Sequence, residues 1–445
     1  MSLHHTHKIN FGETMMKPYL LLLQYVLLST LCYAGNNDSS AVAAPMDGSR
    51  TIPIRLSLVI DPDITMRSGV EDILTLHYGI THAEDRLLGI HWFPESNIIG
   101  KMGGIVLRYF KYDLIDLPLD YYSVVLGHEY FGHGARYREL NMGDIHYGFD
   151  WPPPYGKGGG EATNSKSVFI SSHEELAIWM GGLESQSVMS RIVSLRWMAA
   201  RTINYREAFQ YFWTNQISWK YIQTTTENLN DGIHDSDPRA YVRLINALNG
   251  YTDVTRLKMS VKNFKSKMLI NAANPFVFFS FYTMIKTYLW DGKVSNSMPT
   301  IHLGNVDYLP SLRAGLTPFG IEYHVDNYVR YKRTVSLIDL HYGDQIFDKS
   351  WGGIGIHVSN IYSSIDYSVD INVDVWKQPE MLFGLDPTIS KGGGIGGAVS
   401  VREYYNIPNS WLSAVFELGY KSVGFLEGLP LDSSLIAMIG LAIRK

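Results

Sequence analysis

The spacing of apolar and polar positions changes character near residue 305. From about 70 to 300 it is mostly helical, and beyond that it alternates in twos. The clearest run is Asp366 to Trp376, D-Y-S-V-D-I-N-V-D-V-W. Tyr367, Val369, Ile371, Val373 and Val375 fall on one side of a strand, and Asp366, Ser368, Asp370, Asn372 and Asp374 on the other. Similar runs at 308–316, 320–326, 335–342, 354–362, 394–404, 411–421 and 435–444 bring the expectation to about eight strands with turn-rich links. One earlier strand is expected in T-I-P-I-R-L-S-L-V-I-D-P-D, residues 51–63. The pattern therefore predicts an α+β multidomain chain. A mainly helical domain over 51–305 precedes an antiparallel β-barrel over 306–445.

Alternation does not say which face is wet. A membrane barrel carries its apolar row outward, and a soluble barrel or sandwich carries it inward. Aromatic residues at strand ends (Tyr362, Trp376, Tyr404, Tyr405, Trp411, Tyr420) favour the membrane, as do strands of about ten residues. The stretch G-Y-K-S-V-G-F-L-E-G-L-P-L with the strand after it resembles the final hairpin of bacterial outer-membrane barrels. The N-terminal segment agrees with export. From Met15 it reads as a short basic start at Lys17, an apolar run, and small residues up to Ala34, the form of a signal peptide. Residues 1–34 are read as leader and signal peptide, and the small polar stretch 35–50 as a linker. The expected location is the bacterial outer membrane or periplasm.

Local signals place several elements. Pro118 and Asp120 predict a helix start, Ser172 with Glu175 a capping box, and Asp237 with Pro238 another helix start. No apolar run after the leader reaches the roughly 18 residues of a spanning helix. The nearest, Asn274 to Trp290, contains Lys286 and reads as a buried core helix.

Composition narrows the function classes. The chain has 445 residues, 46% of them hydrophobic and 18% charged, enough for large cores. A net charge of −5 with no basic cluster argues against nucleic acid as a partner. The single cysteine, Cys32, lies in the leader, which excludes a cysteine nucleophile in the mature region.

The candidate chemistry lies in L-G-H-E-Y-F-G-H-G-A-R, Leu126 to Arg136. Zinc-protease helices set two histidines four apart on one face, with a glutamate beside them to deprotonate metal-bound water. Here His128 and His133 are five apart. In a regular α-helix that spacing turns them about 140° from each other. A one-residue π-bulge would bring them together, and Gly132, inside the gap, tolerates the distortion. The bland alternative pairs Glu129 with His133 by an ordinary helical contact and binds no metal.

The motif resembles the H-E-x-x-x-H zinc site of TldD-type metallopeptidases. That resemblance implies His128 and His133 as zinc ligands and Glu129 as catalytic base. The cysteine that completes the family's ligand set has no counterpart here. In the broader zincin class a third ligand often comes from a glutamate on a following helix. Glu184, in an otherwise apolar helical stretch, ranks first, with Arg136 or Arg191 as its other possible partners. Glu161 comes second, followed by Glu174, Glu175 and His173. Asp231, Asp235 and Asp237 read as a solvated turn, and His77, His82 and His91 as core or loop residues.

Three functions stay open at this point. The first is a zinc-dependent hydrolase, a peptidase acting on peptide or protein substrates, anchored at the outer membrane. The second is a non-enzymatic binding or structural protein with a buried His/Glu cluster. The third is a metal enzyme acting on lipid or cell-wall material.

Overall fold

All eight alternating runs beyond residue 305 form strands, and the region before them is largely helical. The computed structural model describes residues 55–88, 97–151, 159–165, 169–226, 229, 236–384 and 390–444. The leader, the linker, His91, Asp231, Asp235 and most of the Pro/Gly loop after Trp151 lie outside these residues.

In chain order the elements are β1 (Arg55–Ile60), α1 (Met66–Leu88), α2 (Ile98–Lys111), α3 (Leu117–Leu126), α4 (Gly134–Glu139), β2 (Ile145–Phe149), β3 (Gly160–Asn164), α5 (Ser172–Ala200), β4 (Thr202–Asn204), α6 (Tyr205–Thr224), α7 (Asp237–Leu248), α8 (Val261–Met268) and α9 (Pro275–Tyr282). The strands that follow are β5 (Ser295–Ser297), β6 (Ile301–Leu303), β7 (Val306–Thr317), β8 (Gly320–Tyr331), β9 (Thr334–Gly343), β10 (Gly352–Ser363), β11 (Tyr367–Gln378), β12 (Met381–Leu382), β13 (Ser390–Lys391), β14 (Gly394–Asn406), β15 (Leu412–Lys421) and β16 (Ser434–Arg444).

Ten strands form one antiparallel sheet in the order β1-β16-β15-β14-β11-β10-β9-β8-β7-β6. From β7 onward it is an up-and-down meander, as the short links demand. β1 enters from the N-terminal half and pairs with the last strand, Arg55 opposite Arg444 and Ile60 opposite Ile439. Among the described residues no ladder joins β1 to β6, so strand pairing leaves the sheet open.

The sheet wraps around α5. One cavity of about 230 Å³ is lined by Val188, Ile192 and Leu195 of α5 together with Arg55 of β1, Val335 of β9, His357 of β10, Asp370 and Asp374 of β11 and Arg402 of β14. The inner face is mixed: Val335, Leu337 and Val415 are buried there beside many charges, and those charges are paired, which offsets the cost of burying them. Arg402 bonds Glu417 and Glu71, each at 2.7 Å. Arg313 bonds Asp326 at 2.8 Å, and Arg191 bonds Glu427 at 3.0 Å. The outer face is largely apolar. Glu417 is 3% exposed, while Phe416 and Leu418 beside it are 48% and 64% exposed. Val373, Val375, Val399, Val401, Leu340 and Leu441 point outward too. This settles which face of D-Y-S-V-D-I-N-V-D-V-W is sheltered: it is the polar one, with Asp370, Asn372 and Asp374 on the cavity.

Three helix expectations shift. The capping box is Ser171 with Glu174, one residue earlier than the spacing suggested. Asp120 caps nothing. The helix is already running when it reaches Asp120, whose buried carboxylate lies 2.6 Å from His77 Nε2. Asn274 to Trp290 is not fully buried either, because Phe278, Phe281, Tyr282, Ile285 and Trp290 are exposed. Among the described residues no single helix is long and apolar enough to cross a membrane. The pair Val261–Ala273 and Pro275–Trp290, bent by 57°, passes by length and composition.

Candidate metal centre

The chain from Ile98 to Glu139 is one continuous helix interrupted by two wide π turns, Tyr112–Asp116 and Gly127–His133. The first ends two residues before Pro118. A proline inside a helix lacks an N–H and collides with the carbonyl four residues back, and a widened turn relieves both problems. The second spans the His-Glu motif. It is the distortion that the five-residue spacing requires, and it swings His133 onto the side of His128.

Glycines make room for it. A Cβ on Gly132 would stand 2.7 Å from the Gly181 carbonyl oxygen and 2.7 Å from the Gly182 Cα. A Cβ on Gly182 would collide with the His128 ring. The π turn therefore rests directly on the backbone of α5, and the His128 ring fills the space a side chain would take there.

The third candidate ligand comes from α7. His128 Nε2 and His133 Nε2 are 3.3 Å apart, and each is 3.1 Å from Asp237 Oδ2. Ligand atoms about 2.0–2.1 Å from a tetrahedral metal stand about 3.3 Å from one another, so this triangle could hold a metal ion. His133 and Asp237 are buried and His128 is half-buried.

The tautomer of His133 sharpens the argument. Its Nδ1 lies 2.7 Å from the Ile178 carbonyl oxygen and must carry the proton to donate there. A neutral ring then aims its Nε2 lone pair at the Asp237 carboxylate. Only a second proton or a cation makes that contact favourable. In the metal-free chain the proton does so. Burial alone would lower His133, but the charge and hydrogen bond of Asp237 push it up to about 9. Burial would raise Asp237, but the His133 charge and the two imidazole bonds hold it below the usual carboxylate range. A carbonyl that fixes the far nitrogen of a histidine is also a common outer-shell support for a ligand.

Glu129 is buried beside the triangle. Burial raises its carboxyl, and the nearby His128 and His133 only partly oppose this. Gly160 of β3 lies over it, since a Cβ there would stand 2.7 Å from Glu129 Cγ. Tyr221 closes another side. Its hydroxyl accepts the Asp237 N–H at 3.0 Å and its ring meets His128 edge-on. Burial, with Asp237 and Glu129 nearby, pushes the Tyr137 hydroxyl up to about 12.

The structure thus joins His128, Glu129 and His133 but leaves Glu184 out of the triangle. The carboxylate of Glu184 is held by the Arg136 guanidinium at 2.5 and 3.2 Å and by the Gly428 N–H at 2.7 Å. With its acceptors filled by an arginine, it has no call for a metal. Among the other candidates, Glu161 lies on β3 against Gly148. Glu174 caps α5 and accepts from the Gly384 N–H. His173 accepts from the Leu382 N–H, and Glu175 lies in the first turn of α5. Asp237 with Pro238 opens α7 as expected, though Ser236 and not Asp237 is the N-cap, and Asp237 is no solvated turn residue. Its placement could have been read from spacing, since Ala240, Tyr241 and Ile245 at helical intervals from it form the buried stripe of α7.

Two more groups of ligand-type atoms gather on the inner face of the sheet, Glu322/His324/His341 and His324/Asp326/Asp339. There the Arg313 guanidinium already serves as the cation, bonding Asp326 and reaching His324 Nδ1 at 2.9 Å. No family model, curated protein or solved structure matches the chain. The family likeness therefore rests on the motif alone, and function has to be argued from the site.

Proposed function

We propose that the chain is a zinc-dependent hydrolase acting on peptide bonds, seated in the bacterial outer membrane by its sheet. The observation that carries the reading is the triangle of His128 Nε2, His133 Nε2 and Asp237 Oδ2 at 3.1–3.3 Å, with Glu129 buried next to it. The residues present fit zinc: two imidazole nitrogens and one carboxylate oxygen leave a tetrahedral position open, as catalytic sites do. Bound zinc supplies an acidified water and polarises a carbonyl. With zinc held there, Glu129 would be placed to serve as general base and proton carrier to the leaving amine, a task suited to a carboxyl raised by burial. His133 is held in its ligand tautomer by the Ile178 carbonyl, and Tyr221 steadies Asp237 through its backbone N–H.

The membrane part of the proposal rests on polarity. The sheet acts as a barrel wall with charged residues inside and aliphatic residues outside, the arrangement of outer-membrane barrels. Exposed tyrosines mark both ends of the strands, Tyr331, Tyr362 and Tyr405 at one and Tyr342 and Tyr420 at the other.

The test measures zinc by mass spectrometry and cleavage of an unfolded protein substrate. Wild type should hold about one zinc per chain and cleave. Glu129→Gln should keep zinc and lose cleavage, and His133→Ala should lose both. Absence of zinc from the wild type after loading at neutral pH would sink the proposal.

A further inference from the structure

Strand pairing leaves two edges of the sheet open, and helices occupy both. At the β1 edge, the Ser57 carbonyl accepts from Thr75 Oγ1 and the Val59 N–H donates to Asp72 Oδ1, each at 2.8 Å, both partners lying on α1. At the other edge β6 pairs only with Val306–Tyr308, so β7 runs on uncovered. There the Asn271 side chain bonds both backbone groups of Ala314, accepting its N–H at 2.6 Å and donating to its carbonyl at 3.1 Å. Asn271 lies in the 3₁₀ turn Leu269–Ala273 that leads into α9.

The helices between the two edges are tied to one another. Arg108 of α2 donates to the Leu289 carbonyl at 2.9 and 3.1 Å, in the π turn Thr283–Trp290 that extends α9. Lys111 at the end of α2 pairs with Glu84 of α1 at 2.8 Å. The circuit β1, α1, α2, α9, β7 is therefore continuous.

The outer side of this bridge is apolar. Ile98, Ile99, Met102, Val106, Tyr109 and Phe110 are exposed on α2 at helical spacing. Phe278, Phe281, Tyr282, Ile285 and Trp290 form a similar stripe on α9 and its extension. Both stripes continue the apolar character of the outer sheet surface.

We infer that the barrel wall is a composite, closed by α2 and α9 rather than by a strand ladder, and that both helices face lipid acyl chains. This rests on the membrane seating proposed above. Two arguments favour lipid over a second copy of the chain. The apolar surface runs over eight strands and two helices, and a single protein partner covers only one patch of such a circuit. In lipid an open edge has no water to bond, so each edge group needs a partner from the chain, and Asp72, Thr75 and Asn271 provide such partners.

The test uses nitroxide labels at single cysteines, introduced by Val106→Cys, Phe281→Cys, Leu418→Cys and Thr255→Cys in a Cys32→Ser background. The full chain is reconstituted in vesicles of phosphatidylethanolamine and phosphatidylglycerol. Collision with oxygen is compared with collision with a water-soluble nickel chelate. Positions 106 and 281 should group with outer-sheet position 418, favouring oxygen, while the polar control 255 favours nickel. If 106 and 281 group with 255 while 418 favours oxygen, the composite wall is wrong and the membrane seating stands. If 418 also groups with 255, the seating fails and takes the inference with it. Labels at 106 and 281 sheltered from both reagents would mean that protein covers the helices, which overturns lipid as the occupant.

Discussion

The π turn and α5 meet with no side chain between them: a Cβ on Gly132 would stand 2.7 Å from the Gly181 carbonyl oxygen. Gly132→Ala has to push the two helices apart, an overpacking cost of about 1–3 kcal/mol. The wedge lies one residue from His133, so the metal triangle opens as well. We expect a lower Tm and weakened zinc binding together. Calorimetry and zinc titration read the two effects, and unchanged zinc affinity in a folded Gly132→Ala protein would remove the close approach from the account.

Asp237 joins the two histidines from a helix far along the sequence. Asp237→Ala should weaken zinc binding by more than the roughly 10–100-fold typical of losing an outer-shell group. Competition with a chromogenic chelator measures it. A loss under tenfold would show that Asp237 is not a ligand.

Glu184 serves stability. Glu184→Ala strips Arg136 of its bidentate partner in a buried setting, a loss of about 3–5 kcal/mol. Zinc content per folded chain should not change. Chemical denaturation and metal analysis separate the effects, and zinc lost from a folded Glu184→Ala protein would restore Glu184 to the site.

Proton and metal compete for His133. In the metal-free chain its pKa is raised to about 9, so the ring is protonated at pH 7 and zinc must displace that proton. Apparent zinc affinity should rise about tenfold per pH unit through neutrality and level off above about 9. The sign for stability without metal is opposite. The raised pKa contributes stability that is full below about 6.5 and fades as pH rises through about 9. Calorimetric titration in buffers of different ionisation enthalpy counts the released proton, and no release at pH 7 would contradict a metal-free ring protonated on both nitrogens.

The outward aliphatic row gives a further check. Leu418→Arg, at a position 64% exposed, should cost about 2–4 kcal/mol if the residue faces the bilayer midplane. In water an exposed leucine-to-arginine change stays within about 0.5 kcal/mol. Refolding into vesicles distinguishes the two.

The strands were legible because their period is two and their turns are polar, so each run announced itself locally. The face they bury was not legible, because an alternating strand reads the same inside out. Which way Asp374 points depends on α5 being there to enclose it. The π turn could be inferred from His128 and His133 alone, since no regular helix lets residues five apart share a ligand. The part of Asp237 could not, because it reaches the two histidines only through the packing of α7 on α5. The buried stripe Asp237, Ala240, Tyr241, Ile245 was its one local sign, and a nearby run of aspartates obscured it. Glu184 misled for a related reason: a buried carboxylate needs a partner, and sequence does not choose between a metal and Arg136.

The pairing of β1 with β16 has a consequence for how the chain is made. Arg55 cannot find Arg444 until the last strand has been synthesised. Completion of the sheet therefore waits on a contact between residues almost 400 apart in the chain, and such contacts slow folding. α1 is fastened to β1, and Ile73 of α1 lies in the same apolar cluster as Tyr130 and Phe131 of the π turn. The packing around His128 and His133 is then complete only once the chain's two ends have met, so the last strand made helps to finish a cluster laid down early in the sequence.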